Sequence, residues 1–222
     1  MRHILYVVTV IILTAGVAAA QDFPTAEIFG GYSLLKIGGS DVDALIDQFE
    51  ITAPSEISTK SSKLFKKGFD ASVTINANEY FGIEANFLYN RGDLLTAVGT
   101  IEGQDVDAKV TVSDFAFMAG PRLTSRKNET LTPFAHALFG VDHIKLDPSL
   151  IMGGSDLSQD LAEFGASDNG FGMALGGGID VKVNKVFGIR LIQADYFMAK
   201  HEDTTVNNLV LSFGAVISLG GQ

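Results

Sequence analysis

Asn184-Lys-Val-Phe-Gly-Ile-Arg190 echoes Asn78-Glu-Tyr-Phe-Gly-Ile-Glu84. Each copy opens on a turn-forming Asn, passes through Phe-Gly-Ile and ends on a charge, positive in one and negative in the other. Side chains in an extended strand alternate between faces, so Phe and Ile share one face while Gly and the charged residue share the other. The second copy opens the fourth strand after the one that the first copy opens. In a closed sheet of eight, the third and seventh strands stand on opposite walls. Glu84 and Arg190 are then expected to face each other across an interior.

The same alternation extends outward from both copies. Phe69, Ala71, Val73 and Ile75 oppose Asp70, Ser72, Thr74 and Asn76, and Phe81, Ile83, Ala85, Phe87 and Tyr89 oppose Gly82, Glu84, Asn86, Leu88 and Asn90. Phe115, Phe117, Ala119, Pro121 and Leu123 oppose Asp114, Ala116, Met118, Gly120 and Arg122, with Pro121 unable to donate to a ladder. Phe171, Met173, Leu175, Ile179 and Val181 oppose Gly172, Ala174, Gly176, Gly178, Asp180 and Lys182. After Arg190 the parity slips, and a bulge near Ile192 returns Gln193 and Asp195 to the polar face. With strands starting near Thr25, Leu131 and Asn208 the count is eight. Tight turns are expected at Asn78, Ser125–Thr130 and Asn184. Long connections are expected at about 36–67, 92–110 and 146–168, and a short one at about 201–205. Ser40 is placed to cap a short amphipathic helix ending near Phe49, and a second helix is expected over 156–164. The pattern predicts an all-β fold: an eight-stranded antiparallel up-and-down transmembrane β-barrel. A soluble lipocalin-like barrel would reverse the two faces, placing apolar residues inside and charges outside.

Met1-Arg2-His3, the apolar run Ile4–Ala20 and the small residues Ala18 and Ala20 form the pattern of a Sec signal peptide. Residues 1–20 are therefore expected to be removed, leaving 21–222 as the barrel domain. No second long apolar segment follows, and the chain has no Cys for lipidation or disulfides. Of 16 basic and 26 acidic residues, only Arg2 lies in the leader, so the remainder carries 15 against 26, a formal charge of −11. That balance disfavours nucleic acid as a partner.

Gly120-Pro-Arg-Leu123, Thr132-Pro-Phe-Ala-His-Ala-Leu-Phe-Gly140 and Ala174-Leu-Gly-Gly-Gly-Ile-Asp180, running on through Ile189-Arg-Leu-Ile-Gln-Ala-Asp-Tyr196, resemble the small eight-stranded outer-membrane barrel superfamily. OmpA-like and Opa-like domains typify it, and the likeness to acidobacterial members is greatest. The resemblance implies the outer membrane of a diderm bacterium, contact with its lipids, and assembly by the barrel-assembly machinery. The signal for that machinery resembles the last strand, through Ser212, Gly214, Ile217 and Leu219, although a Gly-Gly-Gln tail stands where an aromatic residue usually ends the chain.

Inward parity gathers Glu27, Glu84, Arg122, Asp180, Lys182 and Arg190 near the turn end, where they are expected to form a lumen ion-pair network. Asp70, Asp114, Asp142 and Asp195 are expected to line an acidic outer vestibule. No catalytic set, metal site or cofactor is read from the sequence: His136, His143 and His201 are too few and too scattered to converge. Arg91-Gly-Asp93 matches a short adhesion tripeptide, and Gly-Asp is equally ordinary turn chemistry. The expected function is non-enzymatic, namely surface interaction with an extracellular ligand, or envelope integrity, through the long loops. A narrow passive pore and a lipid-modifying enzyme remain as alternatives.

Overall fold

The structure, a computed structural model, describes residues 23–38, 57–61, 66–161, 165–201 and 204–220. The leader at 1–20 and the helix expected at Ser40–Phe49 lie outside them. Ten strands are described: β1 (Ala26–Gly38), β2 (Ile57–Ser61), β3 (Lys66–Asn76), β4 (Phe81–Ile101), β5 (Gln104–Thr124), β6 (Leu131–Met152), β7 (Ser155–Asp156), β8 (Ala166–Lys182), β9 (Phe187–His201) and β10 (Thr204–Leu219). Eight of them close on themselves. β1 pairs with both β3 and β10, β4 with both β3 and β5, and the meander continues antiparallel through β6, β8 and β9 to β10. Closure leaves no free edge in the barrel wall.

The three tight turns share one device. Asn78, Asn128 and Asn184 each turn their side-chain oxygen back to accept from the backbone N–H groups two and three residues ahead, at 2.8–2.9 Å. The side chain thereby mimics a backbone turn and delivers the chain into the next strand at a fixed register. This is why Asn opens both copies of the repeated stretch. In Asn128-Glu-Thr130 the same capping role accounts for the Asn.

β9 carries the bulge where the parity slips. Its register to β8 steps from Ile179↔Ile192 to Asp180↔Arg190, and to β10 from Ser212↔Gln193 to Gly214↔Arg190. Leu191 and Ile192 both end up exposed on the outer face, and Gln193 and Asp195 are returned to the interior. Pro121 sits in β5 without shifting the register, and the β5–β6 ladder passes from Ala119↔Phe139 to Arg122↔His136 across it.

The connections differ from the expected loops. Residues 92–110 are almost wholly strand: β4 and β5 run on to a two-residue turn at Glu102 and Gly103, whose φ values of 51° and 79° both lie in the left-handed region. That is the backbone of a tight hairpin turn matched to strand twist. β6 rises beside them to Met152, and β2 and β7 add short edges to this extension. Of the helix expected over 156–164, Asp156 is in β7 and turns follow to 161, while 162–164 lie outside the described residues. The extension has alternation of its own. Gly99, Val106 and Met152 pair across β4, β5 and β6 on the inward face, as do Ala97, Ala108 and Leu150, and Leu95, Val110 and Pro148. Ala97, Val106 and Val112 are buried. A bulge at Leu94 keeps these apolar residues of β4 on the inward side.

Candidate functional site

Below the extension, the barrel's interior is built across a low wall. β8 contributes Gly176 and Gly178 at inward positions, and neighbouring side chains occupy the space a Cβ would need. The Asp195 carboxylate lies over Gly176, and the Phe134 ring edge would stand 2.9 Å from a Cβ at Gly178. Residues of β9 and β6 therefore meet over the top of β8. Asp195 Oδ1 reaches His136 Nε2 at 2.8 Å, and the Arg190 guanidinium carbon lies 4.3 Å from the Phe134 ring centre. The run Gly176-Gly-Gly178 is thus a requirement of side-chain crossing.

The polar network that results is continuous. Arg122 donates to Glu84 Oε2 at 3.4 Å, to Asp180 Oδ2 at 3.1 Å and to Thr74 Oγ1 at 3.3 Å. Arg190 donates to Asp180 through Nε at 2.8 Å and Nη2 at 3.2 Å, and through Nη1 to the Gln193 side-chain oxygen. Gln193 Nε2 passes on to Asp195 at 2.6 Å and Asp70 at 3.2 Å, and Asn86 donates to Asp70 at 2.6 Å. His136 presents Nδ1 to Glu84 at 3.2 Å as well as Nε2 to Asp195. Phe134 packs under both guanidiniums, with Arg122 3.8 Å from its centre, and Arg190 also covers Phe29 at 4.0 Å. Glu84 and Arg190 do not pair directly as expected; Arg122 and Asp180 stand between them. Buried charges survive desolvation only when paired and hydrogen-bonded, and this set meets that condition by sharing.

Above this network the lumen turns apolar: inward parity holds for Leu88, Ala116, Met118 and Ala174, and the tilt of the strands brings them to one height. Leu35, Leu88, Ala116, Met118, Leu138, Ala174, Phe197, Ala199 and Val210 form one buried cluster. At the junction of the two layers a cavity of only about 10 Å³ remains, lined by residues such as Asp70, Asp195, Met118 and Phe197. That is the least space a single water needs.

Beyond the apolar layer, His201 bridges Asp142 at 2.9 Å and Asp168 at 3.3 Å, and Ser33 donates to Asn90 at 2.9 Å. The four acids expected in an outer vestibule are divided instead. Asp70 and Asp195 belong to the inner network, and Asp114 and Asp142 are buried above the apolar layer. The barrel's twist sets residues of similar sequence rank at different heights, so inward parity alone could not sort them.

Outside, the same strands expose Ile83, Phe117, Leu123, Phe139, Val141, Leu175, Ile189 and Phe213 in a continuous apolar band. A closed strand barrel with an apolar band outside and charges inside is the arrangement that lipid demands. The family model for the outer membrane protein beta-barrel domain matches residues 5–216. The chain belongs to that family. It is a bacterial outer-membrane β-barrel. Among solved structures it is similar to the attachment invasion locus protein Ail of Yersinia pestis, with 20% identity, 87% of this chain and 99% of that one covered, and a TM-score of 0.48. It is also similar to Neisserial surface protein A, at 13%, 90%, 100% and 0.44, and to OprG of Pseudomonas aeruginosa, at 10%, 89%, 97% and 0.44 in the same order. No curated protein sequence matches.

The remaining sequence candidates fall into place around the outer-membrane barrel. Glu27 is held apart from the main network by Arg126, which donates at 2.7 Å from the turn, and by Asn76 at 3.1 Å. Arg126 lies past the end of β5 in the tight turn expected at Ser125–Thr130, where strand parity assigns a side chain no face. Lys182 is a correction: it ends β8 exposed and enters none of the described ion pairs, because Asp180 is already occupied by two arginines. Arg91-Gly-Asp93 is strand, with Asp93 accepting from Thr111 at 2.9 Å. Nearby, Lys66 donates to the Asp93 carbonyl. His143 stacks on Phe115 on the outer face, away from His201. Ser212 points inward and is buried, whereas Ile217 and Leu219 are exposed on the apolar band. Among the described residues no group of His, Cys, Asp and Glu is arranged to hold a metal.

Proposed function

We propose that the protein is a non-enzymatic, non-conducting outer-membrane barrel whose sheet extension serves surface interaction or envelope integrity. The observation that carries this reading is the double filling of the lumen: an ion-pair network from Glu84 to Asp70, then an apolar layer from Leu35 to Phe197, with about 10 Å³ left between them. Water and ions have no continuous polar path through such a stack. Both ring nitrogens of His136 are taken by carboxylates, which leaves neither to activate a hydroxyl. The expected partners are the lipids around the apolar band and an extracellular ligand on the extension. The barrel-assembly machinery is expected to read Ser212, Gly214, Ile217 and Leu219 after a leader at 1–20 has directed export. No cofactor is called for.

Single-channel recording of the refolded protein in planar bilayers tests the reading. Wild type is expected to be silent. Glu84→Ala and Arg190→Ala are expected to stay silent too, because the apolar layer seals separately. Conductance is expected only when both layers are cut, as in Glu84→Ala combined with Leu138→Gly and Phe197→Gly. Steady wild-type conductance would make the protein a pore.

A further inference from the structure

On the lipid face, six adjacent strands set their rings in one row of direct cross-strand partners: Phe213 of β10, Tyr32 of β1, Phe69 of β3, Tyr89 of β4, Phe115 of β5 and His143 of β6. Neighbouring ring centres lie 5.7 Å apart for Tyr32 and Phe213, 5.6 Å for Phe69 and Tyr89, and 4.6 Å for Phe115 and His143. Aromatic belts of this kind mark the level where hydrocarbon gives way to headgroups. One row further out, about 7 Å along the strands, the chemistry changes. Lys67 stands directly opposite Arg91, and Lys36 lies two residues beyond Leu34, the other partner of Lys67, as its diagonal neighbour. All three cations are exposed. Like charges directly opposite destabilise a sheet, and the remaining partners, Leu209 for Lys36 and Ser113 for Arg91, bring no acid. Asp93, two residues beyond Arg91 on the same face, accepts from the Thr111 hydroxyl at 2.9 Å and leaves the patch with a net of two positive charges.

Cations crowded at the headgroup level, on a face open to lipid, call for an anion that the membrane itself supplies. The outer leaflet is the one they meet, since β4 and β5 rise from this level into the extension, away from the tight turns. We propose that Lys36, Lys67 and Arg91 bind a phosphate monoester on the headgroup of an outer-leaflet lipid, whose acyl chains descend over Tyr32, Phe69 and Tyr89. A phosphate monoester carries about 1.5 to 2 negative charges near neutral pH, which matches the patch. A diester carries less and leaves part of the repulsion between Lys67 and Arg91 in place. Arg91 presents a planar fork to two phosphate oxygens, and the lysines add point charges. The acyl chains separate this ligand from free phosphate, because they hold the anion where the rings end. Such a site follows from the barrel's place in the membrane and stands whether or not the lumen conducts.

The test is an NMR titration of the ¹⁵N-labelled full barrel in phosphatidylcholine nanodiscs. Phosphatidic acid, a monoester, or phosphatidylglycerol, a diester, is mixed in at rising mole fraction, and inorganic phosphate is added to the buffer in a parallel series. Phosphatidic acid is expected to give saturating shifts centred on the amides of Lys36, Lys67, Arg91 and Ser113, at about a tenth of the mole fraction that phosphatidylglycerol needs. Lys67→Gln and Arg91→Gln are each expected to weaken it about tenfold, the loss expected for one charge-assisted contact. Lys109→Gln, on the extension beside Asp107 at 3.3 Å, is expected to leave binding unchanged. Lys67→Gln gives a second readout. In phosphatidylcholine alone it is expected to raise the urea midpoint by relieving the repulsion with Arg91, and phosphatidic acid is expected to abolish that gain. The replaced side chains are exposed, so folding should survive, and heat-modifiable migration in detergent gels verifies this. Equal saturation by phosphatidylglycerol at the same mole fraction, or the same pattern from inorganic phosphate alone, would overturn the proposal. So would a loss of binding in Lys109→Gln as large as in Arg91→Gln, a Lys67→Gln midpoint that fails to rise, or an absence of shifts.

Discussion

Below the membrane rim, β5 turns Arg122, Met118, Ala116 and Asp114 inward and Leu123, Phe117 and Phe115 outward; above it, the same strand turns Val112, Val110, Ala108 and Val106 inward and Ser113, Thr111, Lys109 and Asp107 outward. β6 changes at the same level, from Asp142 inside and Val141 outside to Ile144 inside and Lys145 outside. One strand therefore reverses its patterning while its ladder to β6 keeps register through the rim. The reason is the solvent. Where lipid surrounds the barrel, apolar residues face out and every charged group is drawn to the interior; where water surrounds the extension, charges face out and only an apolar inward face gives it a core. The same hydrophobic effect, acting across one rim, writes opposite sequences on one strand.

The sharpest way to break the lower half is to remove a charge from its shared network. Glu84→Ala leaves Arg122 and His136 short of a buried counter-charge, and Arg190→Ala leaves Asp180 with one guanidinium instead of two. Each is expected to cost about 3–5 kcal/mol, as for other buried pairs that lose one partner. Reversible urea unfolding in lipid vesicles measures it. A cost below about 1 kcal/mol would mean the network is hydrated and its members individually dispensable.

The outward face offers a paired test at one parity in two solvents. Phe117→Lys is expected to destabilise by about 2–4 kcal/mol, because a lysine there must enter hydrocarbon near its middle. Val98→Lys points outward on the extension, where Val98 is already 44% exposed to water, and is expected to change stability by less than about 0.5 kcal/mol. Equal effects at the two sites would put the membrane rim in the wrong place.

On the inward face the order reverses. Val106→Asp buries a carboxylate in the apolar core of the extension and is expected to cost it about 2 kcal/mol, from the lost valine burial and the desolvated charge. Hydrogen exchange should rise across residues 95–112 while the amides of β8 and β9 stay protected. Uniform exchange over the whole chain would show that the extension and the barrel unfold as one unit.

The barrel was legible because lipid imposes a strict period of two with an apolar outer face, and the turns announce themselves through Asn78 and Asn184. The bulge at Ile192 was legible for the same reason, since polar Gln193 and Asp195 on the lipid side would be intolerable. The extension is concealed in the sequence. Val106-Asp-Ala-Lys-Val-Thr-Val112 alternates as cleanly as any barrel strand, but its charges and the glycines near it resemble loop composition, and the inverted faces conceal its continuity with Asp114. The network was half legible. Parity placed Glu84, Arg122, Asp180 and Arg190 inside, but which acid meets which base depends on strand tilt and on Gly176 and Gly178 letting side chains cross β8. Arg126 and the apolar layer needed coordinates.

The smallest expected effect lies at the tip. Glu102 adopts φ 51° beside Gly103 at 79°, so a side chain with a Cβ occupies the left-handed region at the first position of a two-residue turn. Asn tolerates that conformation because its short amide hydrogen-bonds locally, and Asn-Gly is the favoured pair in hairpins of this type. Glu102→Asn should therefore relieve about 1 kcal/mol of backbone strain. Because the tip belongs to the extension, the gain should appear as slower exchange from Ala97 to Val110 with the barrel's urea midpoint unchanged. If the midpoint rises as well, the extension contributes to barrel stability, and the two halves joined at the rim fold as one.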